Sequence, residues 1–125
     1  MIKLVLSDMD QTLKPAENPA ISERTHQAIK NLKAAGIAFG LSTGRPVYDA
    51  LSYLKSDVSL TDTGLFASGK LLYFNGRLIF KKQFTYEIME KIFEVISPMQ
   101  NCLLTYYEEG PQGHPLSKRL ARGPS

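Results

Sequence analysis

Three short apolar runs, at 2–7, 37–41 and 58–61, alternate with stretches of helical pattern, and this alternation leaves few architectures open. Each run is too short for a helix and apolar enough for a buried strand. Between the first two, Ser22 can cap a helix reaching about residue 35. Ala28, Ile29 and Leu32 form its apolar face, and Gly36 suits the position just past its end. After the second run, Pro46 can occupy the first turn of a helix reaching about Leu54. Strand, helix, strand, helix, strand predicts a parallel sheet with crossover helices. Such sheets bind ligands beyond the carboxyl ends of their strands. The polar loops 8–12 and 42–45 both leave directly from strands and are expected to lie side by side.

The first loop reads Leu6-Ser7-Asp8-Met9-Asp10-Gln11-Thr12-Leu13. Two carboxylates two residues apart at a strand end can face one crevice. There one can attack as a nucleophile while the other moves a proton. With the Thr12 hydroxyl they also suit a hard cation such as Mg²⁺. The blander reading is an acidic turn, since Asp is a common turn former. The second loop, Leu41-Ser42-Thr43-Gly44-Arg45, sets a hydroxyl, a glycine and a cation between a strand and a helix. That combination can cradle a phosphate; on its own it is also an ordinary capped loop with a surface arginine.

The first segment resembles the Asp-x-Asp-x-Thr motif of the haloacid dehalogenase superfamily. The second is similar to the superfamily's second motif, in the Thr-Gly-Arg form of its Cof-like branch. The resemblance covers about residues 1–107. It implies an incomplete Rossmannoid α/β core with part of an inserted α/β cap. It also implies a Mg²⁺-dependent phosphatase of small phosphorylated metabolites, working through an aspartyl-phosphate. Asp8 would be the nucleophile and Asp10 the acid/base, the two also holding Mg²⁺. Thr12, Thr43, Gly44 and Arg45 would serve phosphate and substrate. Gln11 departs from the family pattern, which has Gly there. Gly permits backbone angles that Gln resists.

Beyond Thr61 the pattern changes. Asp62-Thr63-Gly64 is similar to the stretch where the Cof-like branch enters its cap. Residues 71–74 and 77–82 flank Asn75-Gly76, a strong hairpin signal. Residues 85–96 form an amphipathic pattern with Ile88, Ile92 and Ile96 on one side, and 102–107 read as a strand. The expected organisation is therefore 1–63 as the first part of the core, 64–109 as a partial cap, and 110–125 as a disordered tail.

The formal charge of +3 carries no nucleic-acid signal. Residues 1–109 balance twelve Lys/Arg against twelve Asp/Glu, and the surplus is Lys118, Arg119 and Arg122 in the last segment. No apolar run suits a membrane helix, which needs about 20 residues. Cys102 is the single cysteine and cannot form an internal disulfide, so a cytoplasmic, reducing setting is expected.

A full superfamily member would add a phosphoryl-steadying Lys, a Gly-Asp-x-x-x-Asp loop, and strands on the far side of the first one. None of these is present in the sequence. Truncation and weak or absent turnover are therefore expected, with an open sheet edge that invites self-association. The alternative is a non-catalytic fragment or interaction module that completes its sheet with a partner chain.

Overall fold

A computed structural model describes residues 1–109 and 115–122. It divides into two compact units, Met1–Lys82 and Gln83–Ser125.

The first unit carries one five-stranded sheet in the order β1-β2-β3-β4-β5. The strands are β1 Leu4–Ser7, β2 Ala38–Ser42, β3 Gly64–Phe66, β4 Leu71–Phe74 and β5 Arg77–Lys81. β1 pairs with β2 in parallel, and β2 with β3 in parallel; β3, β4 and β5 are antiparallel. This is the expected α/β fold with a parallel core.

Helix α1 (Glu23–Ala34) makes the first crossover. Ser22 caps it as expected, accepting from the Thr25 N–H at 3.1 Å. Helix α2 (Val47–Tyr53) follows β2, and Pro46 stands at its N-cap, one residue earlier than the expected first turn. Met9, Ile21, Ile29, Phe39, Leu41, Leu54, Leu60 and Phe66 share one buried cluster. It joins α1, β2, α2 and β3 to the first loop, and each large side chain contributes roughly 1.5–3 kcal/mol of burial.

Four expectations are corrected. The stretch 58–61 is not a strand. Val58–Leu60 is a 3-10 turn whose N-cap Asp57 accepts from the Ser59 N–H, and the third strand is Gly64–Phe66. β2 and β3 approach too closely there for any side chain at Gly64. A Cβ on it would stand 2.7 Å from the Leu41 carbonyl oxygen, and its φ is +151°.

The hairpin turns at Asn75 (φ 49°) and Gly76 (φ 75°), where its sequence placed the turn, but its strands extend the core sheet instead of opening a separate module. β1 lies at an open sheet edge, as expected, and for that reason it is half-buried instead of the buried strand its apolar run suggests, with Leu4 45% and Leu6 46% exposed. Finally, part of the expected disordered tail is a strand, β7 (Pro115–Arg122), antiparallel to β6 (Leu103–Glu109). The rest of that tail call, 110–114 and 123–125, lies outside the described residues.

The second unit also contains α3 (Tyr86–Ile96), capped by Thr85. Among the described residues no helix is long and apolar enough to cross a membrane.

Candidate active site

β1 and β2 run parallel with Ser7 opposite Leu41, so loops 8–12 and 43–45 emerge beside each other from the carboxyl ends of adjacent strands. The first loop is wound tightly. The Met9 carbonyl accepts from the N–H groups of Thr12, Leu13 and Lys14 at 3.0–3.3 Å, and Gln11 donates its N–H to the Lys14 carbonyl at 2.8 Å. Gln11 reaches this turn with φ 60°, the left-handed region that the family's Gly adopts without cost. The turn therefore strains the backbone at Gln11.

Met9 is fully buried, and its neighbours point outward on either side. Asp8 is exposed; its carboxylate accepts from the Thr12 hydroxyl at 3.2 Å. Thr12 therefore serves to steady the candidate nucleophile.

Thr43 is buried, 7% exposed, and its Oγ1 accepts from the Arg45 N–H at 3.1 Å. That bond leaves the hydroxyl proton available as a donor. Gly44 keeps the turn open: a Cβ there would meet the Ser68 hydroxyl at 3.3 Å.

Arg45 joins the two loops. Its Nε and Nη2 donate to the two oxygens of Asp10 at 2.8 and 3.0 Å, and its Nη1 donates to Asp49 at 2.7 Å. This bidentate grip holds the Asp10 carboxyl below its ordinary pKa, with the Lys14 charge adding to the effect. The two acids in turn raise the pKa of Arg45.

Three members of the site escape a motif reading. Asp49 and Tyr53 lie four residues apart on one face of α2, which turns toward Arg45 just before its N-cap; that spacing was visible in the sequence. Lys14 had no such signal. It is 5% exposed, and its ammonium donates to the Pro15 and Asn18 carbonyls and lies 5.0 Å from the Tyr53 ring centre. Asp10, Lys14, Glu17, Asn18, Arg45 and Tyr53 line a cleft of about 450 Å³.

His26 is largely buried at 12% exposure and bonds Asp57 at 2.9 Å. Lys33 pairs with Asp62 at 3.0 Å. Among the described residues no group of three or more His, Cys, Asp or Glu side chains converges as a metal site. Asp8 still offers a hard carboxylate with free lone pairs, which fits a Mg²⁺ ion that completes its shell with water and phosphate.

The protein-family model for haloacid dehalogenase-like hydrolases matches residues 5–113. A comparison with curated proteins finds no match. Among solved structures, a haloacid dehalogenase-like hydrolase from B. subtilis is similar over 86% of this chain and 38% of its own, with 20% identity and a TM-score of 0.70. A structure from a study of phosphatases of the haloalkanoate (HAD) superfamily, from Bacteroides thetaiotaomicron, covers 77% of this chain and 35% of its own, at 27% identity and TM-score 0.63. A third, described as belonging to a phosphoryl-transfer superfamily, covers 77% and 37% at 26% identity and TM-score 0.61. The chain thus spans little more than a third of the length of these structures.

Proposed function

Because the chain belongs to the haloacid dehalogenase-like hydrolases, we propose that its two adjoining loops form the nucleophile half of a phosphatase site for small phosphorylated metabolites. The observation that carries this is the convergence of loops 8–12 and 43–45, tied together by the Arg45–Asp10 bonds. It supports the reading by bringing the exposed Asp8, Asp10 and the buried Thr43 to one sheet end. The similarity to phosphatase structures supports the same reading.

The exposed Asp8 carboxylate attacks phosphorus and forms an aspartyl-phosphate while the bond to the leaving oxygen breaks. Thr43 donates its hydroxyl proton to a phosphate oxygen. Asp10 protonates the leaving oxygen and then takes a proton from the water that hydrolyses the acyl phosphate. Its bonds to Arg45 favour the ionised form, which suits the second step. Protonating the leaving group requires that Arg45 loosen its hold. Asp8 through its carboxylate and Asp10 through its backbone carbonyl are the residues that would hold Mg²⁺, which when bound would neutralise charge on the phosphoryl group. Such a metabolite phosphatase would work in the cytoplasm.

Hydrolysis of an aryl phosphate with Mg²⁺ tests the proposal. Turnover by a polypeptide of this sequence alone is expected to be slow, because the Lys and the Gly-Asp-x-x-x-Asp carboxylates that stabilise the phosphoryl charge in the family are not in this sequence. The expected result is that Asp8→Asn abolishes hydrolysis and that Asp10→Asn lowers it by about a hundredfold or more. An Asp8→Asn protein as active as the parent would overturn the assignment.

A further inference from the structure

The guanidinium that grips Asp10 belongs to a long, flexible side chain, and something must keep it in place. Arg45 Cζ lies 4.5 Å from the centre of the Tyr53 ring. A ring face attracts a cation at that distance and also favours a flat, parallel guanidinium. The ring is itself well anchored: Tyr53 packs against the buried cluster, and its carbonyl accepts from the Ile21 N–H at 2.9 Å. The same ring receives the buried Lys14 ammonium, whose two carbonyl bonds pin the far side of the first loop.

We propose that Tyr53 is a positioning residue for Asp10, its ring holding the Arg45 guanidinium in the orientation that makes the bidentate grip. The chemical consequence rests on the phosphatase reading, whereas the grip itself does not. Tyr53 touches no reacting atom; it acts through Arg45. Its aromatic face matters and its hydroxyl does not.

The test follows the Arg45 Nε–H in ¹⁵N-labelled protein by its exchange with water, in the parent, Tyr53→Phe and Tyr53→Leu. The parent and Tyr53→Phe are expected to agree within about twofold, while Tyr53→Leu exchanges about fivefold faster. Exchange in Tyr53→Leu equal to the parent overturns the proposal. So does Tyr53→Phe exchanging as fast as Tyr53→Leu, which would put the effect in the hydroxyl. Should circular dichroism show Tyr53→Leu unfolded, Tyr53→Trp replaces it, slow exchange supporting the ring platform and fast exchange refuting it. Hydrolysis that does not depend on Asp8, with Arg45 still protected and still sensitive to Tyr53→Leu, defeats the phosphatase reading alone. Asp8-dependent hydrolysis with Arg45 exchange indifferent to the ring defeats this inference alone.

Discussion

Replacing Arg45 with glutamine removes three hydrogen bonds and a ring contact at once, and the structure sets the size of the effect. Arg45 is 29% exposed, Asp10 42% and Asp49 36%, so solvent screens both ion pairs. Each pair then contributes roughly 0.2–1 kcal/mol, and the cation over Tyr53 about 0.5–1 kcal/mol. The sum is a loss of about 1–3 kcal/mol, part of which the glutamine amide recovers. Urea unfolding followed by tyrosine emission, in a chain with six Tyr and no Trp, would show a midpoint lower by about 1 M. The loss should also depend on pH. The folded Asp10 pKa is depressed, so its contribution is complete above the unfolded value, near 4, and disappears as the pH falls through the folded value. The gap between parent and variant is therefore full at neutral pH and narrows below about pH 4. Asp10→Asn in the Arg45→Gln background should add less than it does in the parent. A midpoint unchanged at pH 7, or a gap that widens in acid, would show that the bonds to Asp10 carry no such energy.

Asp57 is the second titrating test. Its bonds to the Ser59 hydroxyl and to His26 hold its pKa at about 2, a shift equivalent to about 2 kcal/mol of stability at neutral pH. Asp57→Ala should lose about that much, with the difference fading between about pH 4 and 2; a difference that persisted at pH 2 would contradict the cause. Gly64→Ala should cost about 2–3 kcal/mol in urea melts, because its Cβ meets the Leu41 carbonyl; Gly76→Ala, where nothing lies within 4 Å, should cost about 1 kcal/mol. Equal costs would refute the close-approach argument. Gln11→Gly should raise stability by about 0.5–1 kcal/mol, the relief of left-handed strain exceeding the added chain entropy; a lower melting midpoint would show no strain there.

Local signals were read correctly where one residue dictates local geometry. Ser22 caps its helix, and Asn75-Gly76 turns its hairpin, because caps and two-residue turns depend on neighbours only. Errors came where a cap or a pairing overrides the apolar pattern. Val58 and Leu60 are as apolar as a strand, but the Asp57 cap winds them into a turn, and the true strand is three residues that include a glycine. β7 gains its order from pairing with β6, which nothing in its own composition announces. In the site, the strand-then-loop pattern was enough to bring Asp10 and Arg45 together. That Asp49 and Tyr53 share a face was available from their helical spacing. The burial of Lys14 was not, because it depends on two carbonyls of its own loop and a ring from α2.

Between the two acids of the first loop sits Met9, wholly enclosed by the core. The carboxylates therefore ride on a plug seated in a densely packed interior, and their aim is only as good as its fit. A core substitution that let this plug shift would move both acids together, far from any residue with a chemical part to play. In this molecule the accuracy of the reactive groups is borrowed from the oil beneath them.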